Sequence, residues 1–282
     1  MTPILSALPL LVLQVGPNPA TGGMPGTPEE LRDRPPREAV QQDRPQRQSR
    51  LSQCLATATS DARKALDYAQ AWREMAEEGE LARTSHCAGL ALVRLERFGE
   101  AREAFVAARG EAGDDQPAYR ARLAGMAGNA AFAAGDIAAA LDHFVAAEAD
   151  ATAAADGPLG SGFAIDRARA LVALERPEEA VAALSAARAA DPSNARAWLF
   201  SATLSRRLER LGEAQRQIEY AAELAPRDPA IGLEAGLIAA MGGREGEARA
   251  SFASVVEVAP DSPQAASARR YLAQLGETAE RP

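Results

Sequence analysis

The residues able to do acid–base, nucleophilic or metal chemistry are few in this chain, and they do not converge. Two adjacent acid pairs, Asp114 with Asp115 and Glu178 with Glu179, supply carboxylates of the kind that share general acid and base roles. Both pairs stand where a helix begins in an alanine-rich stretch, and there a carboxylate complements the helix dipole. His86 and His143 are the only histidines, and neither has a Ser or Cys arrangement beside it that would make a nucleophilic triad. Cys54 and Cys87 are the only cysteines and lack C-x-x-C spacing, so no zinc site of ordinary spacing can be assembled. GMAGNAAFAAG, at 125–135, has glycines but neither a preceding strand nor Gly-Lys-Ser, which argues against a phosphate loop. The sequence therefore predicts no catalytic residue, no cofactor and no metal. An enzyme on a helical scaffold is the alternative of another class.

The elements that would position any such group are helices. Apolar residues make up 47% of the chain but aromatics only 5%, so the core must be built from alanine and leucine. That composition favours packed helices over strands, which want β-branched and aromatic residues. An all-α fold follows. Net charge is −8 and Lys64 is the single lysine; no basic run lacks interleaved acids, which argues against a nucleic-acid partner.

Residues 4–15, ILSALPLLVLQV, form an apolar run too short to span a bilayer, for which about 20 residues are needed. The run has the length of the apolar core of a secretory signal peptide, so residues 1–20 are expected to direct export to the periplasm or beyond. No integral membrane span is expected once they are removed. An apolar tail on a cytoplasmic protein is the alternative. Residues 21–50 are rich in Pro, Gly, Gln and mixed charge, cannot bury enough surface to order themselves, and predict a disordered linker. In an exported protein Cys54 and Cys87 could form a disulfide worth about 3 to 4 kcal/mol in the chain-entropy model; two buried thiols are the alternative.

The chain also repeats itself. Pro192, Pro226 and Pro260 are spaced by 34 and 34 residues, in the phrases RAADPSN, ELAPRDP and EVAPDSP. Twelve residues before each stands an alanine, Ala180, Ala214 and Ala248, and the same register continues upstream through Ala140, Ala101 and Ala65. From Ala65 onward the intervals are 36, 39, 40, 34 and 34 residues. Four residues after the alanine come Phe105, Phe144 and Phe252, and Gly89, Gly128 and Gly236 precede it by twelve.

This pattern resembles the tetratricopeptide repeat, a helix-turn-helix unit of about 34 residues. Trp198, Ala214 and Pro226 match the family's tryptophan, alanine and proline, and Gly236, Ala248, Phe252 and Pro260 match it in the next unit. Ala202 replaces a glycine and Val255 an alanine. The resemblance covers about 51–275 and implies a right-handed superhelical solenoid of about six helix pairs with a C-terminal capping helix, the solenoid taken as 51–276 and 277–282 as a disordered tail. First helices are predicted near 50–58, 81–95, 118–133, 161–174, 194–208 and 229–241. Second helices are predicted near 61–76, 98–108, 136–151, 177–190, 211–224 and 245–258, with the cap at 263–275. GPLGSG, at 157–162, reads as a flexible insertion.

The resemblance also implies a bacterial, non-enzymatic scaffold that binds peptides or proteins in a concave groove; the expected leader places it in cell-envelope assembly, and a cytoplasmic adaptor is the alternative. In the family the groove is lined by the first helices. Here that selects Arg83, His86 and Leu90; Arg122, Asn129 and Phe132; Arg169; Arg196, Leu199, Thr203, Arg206 and Arg207; and Leu233 and Leu237. Arginines mixed with apolar residues suit a peptide with some negative charge. The Lys/Asn clamp with which chaperone-binding relatives hold a terminal carboxylate is not met, since only Asn129 resembles it.

Overall fold

The computed structural model describes residues 49–279, so the expected leader and the linker up to residue 48 lie outside the described residues. The described chain is helical from end to end: α1 (Arg50–Ser60), α2 (Ala62–Glu74), α3 (Glu78–Arg94), α4 (Phe98–Glu111), α5 (Pro117–Ala133), α6 (Ile137–Ala153), α7 (Gly157–Ala173), α8 (Pro177–Ala190), α9 (Ala195–Arg207), α10 (Leu211–Leu224), α11 (Pro229–Met241), α12 (Glu245–Val258) and α13 (Pro263–Ala279). Consecutive helices pair, from α1 with α2 to α11 with α12, and α13 packs on the last pair. Odd-numbered helices also approach one another, α7 to α9 and α9 to α11, so they form the inner wall of a solenoid and the even-numbered helices the outer.

Each pair depends on a close crossing. A Cβ added at Gly89 would lie 2.6 Å from the Phe105 ring, and one at Gly128 would lie 2.6 Å from the Phe144 ring; Gly236 faces Phe252 in the same way. No such Cβ fits without displacing the ring. Where the first helix carries alanine instead, at Ala168 and Ala202, the second carries the smaller Leu184 and Ile218. Backbone proximity and side-chain bulk are thus traded at one register. In the first pair the ring position is Ala69, and a disulfide between the buried Cys54 and Cys87 joins α1 to α3 in the same cluster, with Cα atoms 6.0 Å apart.

The turns are equally regular. Glu96, Gly135, Glu175, Glu209 and Gly243 all have positive φ and sit just past the first helix of a pair. The next residue's N–H returns to the helix, as in Arg97 N–H to Leu92 O at 2.9 Å, closing the last turn. Between pairs, α10 ends at Leu224, Pro226 follows, and Asp228 caps α11 by accepting from Ala230 N–H at 2.8 Å. Asn194 and Ser262 cap α9 and α13 at the neighbouring seams.

Two expectations are corrected. Residues 157–162 are not a flexible insertion but the first turns of α7: Asp156 caps the helix, Pro158 lies in the first turn where no backbone partner is lost, and Ser161 is fully buried. The three glycines and proline read as a loop only because the capping aspartate lies outside the phrase. Residues 277–279, assigned to the tail, continue α13.

The crossing is directly testable. Gly128→Ala should lower the melting temperature despite alanine's higher helix propensity, an overpacking cost of about 1–3 kcal/mol. Adding Phe144→Leu, which recreates the Ala168–Leu184 combination, should recover much of it. A melting temperature unchanged by Gly128→Ala would refute the trade.

Candidate functional site

Residues three and four apart on a helix share a face. On α9 one such stripe is Arg196, Phe200, Thr203 and Arg207; on α7 it is Ile165, Ala168, Arg169 and Val172; α5 adds Phe132 from its last turn. All but Arg196 join Leu184 and Leu204 around a cavity of about 240 Å³ on the inner side. The lining is apolar except for Thr203 and two exposed arginines, Arg169 and Arg207, which therefore stand at its rim. The Arg169 guanidinium lies 5.4 Å from the centre of the Phe132 ring and that of Arg196 lies 5.8 Å from Phe200, each within cation–π range.

Charge is segregated between the walls. Helices α5, α7 and α9 carry seven arginines and a single acid, Asp166, whereas α4, α6, α8 and α10 carry eleven acids and four arginines. Most inner arginines are tied down: Arg120 to Asp114 and Asp150, Arg167 to Glu148, Arg169 to Asp166, and Arg206 to the buried Glu234. Arg122 lies 3.9 Å from Asp156. Arg196 and Arg207 have no carboxylate in ion-pairing range among the described residues.

The expected groove residues divide accordingly. Phe132, Arg169, Thr203 and Arg207 meet at the cavity, with Arg196 beside it. Arg122 and Asn129 are exposed on α5, and Arg83 is exposed at the far end, bordering polar cavities of about 700 and 260 Å³. Arg206 is an anchor between α9 and α11, with Nε donating to Glu234 at 2.6 Å. Leu199 is half-buried against the cluster around Ile218, and Leu233 and Leu237 against that around Phe252. Leu90 likewise packs on the cluster around Phe105.

His86 is a correction. It is 7% exposed, packed by Phe105 and Tyr119, with Nδ1 at 3.1 Å from the Tyr119 hydroxyl and Nε2 without a partner. Burial lowers its pKa to about 4 and raises that of Tyr119 to about 12, so His86 is a neutral core residue. His143 is likewise shifted down, chiefly by burial. Three of the four paired acids serve ion pairs: Glu178 with Arg210 at 2.5 Å, Glu179 with Arg176 at 2.6 Å and Asp114 with Arg120 at 3.0 Å.

Phe200, Ile165, Val172 and Leu184 were not singled out by sequence. Phe200 carried a usable signal, lying four residues after Arg196 and seven before Arg207 on one helical face. Among the described residues no helix is long and apolar enough to cross a membrane, and no group of three or more His, Cys, Asp or Glu could hold a metal ion.

The family model for the tetratricopeptide repeat matches residues 162–204, the stretch that supplies α8 and most of α7 and α9. Over that stretch the chain matches a tetratricopeptide repeat. Pseudomonas aeruginosa PilF superposes with a TM-score of 0.60 at 13% identity, over 80% of this chain and 96% of PilF. PilW, described as a widely conserved type IV pilus biogenesis factor, superposes with a TM-score of 0.59 at 17% identity, over 76% of this chain and 94% of PilW. YrrB, described as a tetratricopeptide-repeat protein with an unusual peptide-binding site, superposes at 0.50 with 19% identity, over 72% and 97%. At these identities the likeness establishes the fold. No curated protein sequence matches the chain. The tetratricopeptide register and the cavity coincide, since every α7 and α9 residue of the cavity except Arg207 falls within the matched repeat.

The buried histidine gives this repeat protein a predictable acid response. Between the unfolded value of 6.5 and the folded value of about 4 the unfolded chain binds a proton that the folded chain refuses, so stability falls as pH drops through that window. At pH about 5 this one residue costs about 2 kcal/mol. The fall in melting temperature from pH about 7 to about 5 should therefore shrink in His86→Leu. Equal falls would assign the sensitivity to the carboxylates instead.

Proposed function

We propose that this chain is a non-enzymatic protein-interaction scaffold that holds a peptide segment of a partner on its inner wall, at the cavity between α5, α7 and α9, and that it works in the cell envelope after export. The observation that carries the groove reading is the convergence of three successive inner helices on one apolar cavity with a cationic rim. Concave apolar sites with a few polar groups are where ligands bind, and a peptide laid along an inner wall can present side chains to several helices at once. The catalytic candidates of the sequence are scattered, and three of the four acids among them, Asp114, Glu178 and Glu179, sit in ion pairs.

Export is supported by the apolar run at 4–15 and by the disulfide between Cys54 and Cys87, since such bonds persist in oxidising compartments. The envelope is the compartment these two features share.

Two measurements test this reading. A photo-crosslinking amino acid at Thr203 should capture a defined partner peptide, mapped by mass spectrometry, and Phe200→Ala should abolish the capture. The same probe at Val145, which is exposed on outer helix α6, should not capture it. Equal capture from both positions would move binding off the inner wall. For export, N-terminal sequencing of protein from the native cell should find the leader removed; an intact Met1 in a soluble cytosolic fraction would sink it.

A further inference from the structure

Resting on the groove reading above, we propose that the cavity between α5, α7 and α9 receives the apolar side chain of an acidic peptide segment whose flanking carboxylates pair with Arg196 and Arg207. At about 240 Å³ the cavity is smaller than the roughly 300–1,000 Å³ of small-molecule sites. That size suits a side chain or two. Its walls, including Phe200, Leu204 and Val172, offer nothing to a buried charge, so the occupant must be apolar inside.

Outside the cavity the opposite holds. Arg196 and Arg207 lie eleven residues apart on one face of α9, about 16 Å along its axis, with Phe200 between them. Neither has a carboxylate of its own among the described residues, whereas neighbouring inner-wall arginines do. An extended peptide covers about 16 Å in roughly five residues. The matching segment therefore places an apolar residue between two acids within about that span. A carboxylate gains a charge-assisted, two-pronged hydrogen bond from each guanidinium. Because the chain carries a net charge of −8 and the outer helices α4, α6, α8 and α10 behind this wall are acidic, an acidic segment is repelled from them and steered to this wall.

The test pans the purified full chain against a phage library of random dodecapeptides and titrates recovered peptides by fluorescence anisotropy. The expected peptides carry a central Phe, Leu, Ile or Met flanked by Asp or Glu. Their affinity should fall at least about tenfold in Arg196→Glu/Arg207→Glu, and weaken as salt is raised, with helicity by circular dichroism unchanged. Serine in place of the apolar residue should cause a comparable loss. Neutral or basic peptides that are blocked by Thr203→Trp, which fills the cavity, would overturn the acidic occupant while leaving the groove reading standing. Recovery of no peptide, or of peptides indifferent to Thr203→Trp, would overturn both. A labelled single-stranded oligonucleotide binding as tightly as the best peptide would show that charge alone is recognised and overturn the apolar anchor.

Discussion

The close crossing of two helices within each pair is the contact on which the rest of this protein depends. In five of the six pairs it is made by a glycine or alanine on the first helix and a ring or branched side chain sixteen residues later on the second. Glycine goes with phenylalanine in three pairs, and alanine with leucine or isoleucine in two. The sum of bulk is roughly held constant, as close packing requires. Since a single pair cannot bury its apolar face, each crossing presents a surface that the next pair must cover, and stacking follows.

The candidate site is a by-product of the same trade. Ala168 and Leu184, the crossing pair of α7 and α8, both line the cavity. A leucine fills less space than the phenylalanine at that register in the preceding pair, and part of the difference is left open toward the inner wall. The cavity is then bounded by residues that each helix must place inward by its period: Phe132, Ile165, Val172, Phe200 and Leu204. Its position is set by packing, and its rim by whichever polar residues fall on the exposed edge of the same stripes.

Those rim residues give the wall its chemical character. An arginine paired with a carboxylate, such as Arg206 with Glu234, is a strut between α9 and α11 and offers little to a ligand. An arginine resting on an aromatic face, such as Arg196 over Phe200, keeps its hydrogen-bond donors available. Two residues of the same type on the same helix therefore have different capacities.

The repeat register, the helix pairs and the seams at Pro192, Pro226 and Pro260 were all written locally, because a crossing contact sixteen residues apart, a capping aspartate and a helix-stopping proline act within one unit. Composition in the same way dictated helices. The fate of an inner-wall side chain was not local. His86 lies at a groove position by register, yet Tyr119 of the next pair closes over it; Arg206 and Arg207 are neighbours in sequence, yet one meets Glu234, 28 residues away, and the other meets solvent. GPLGSG looked like a loop because its cap, Asp156, precedes it. Sequence alone determined the fold and its punctuation, since those rest on contacts inside a repeat. Tertiary structure decided which inner residues bury, pair or stay free, since that depends on which side chain the adjacent repeat brings within a few ångströms.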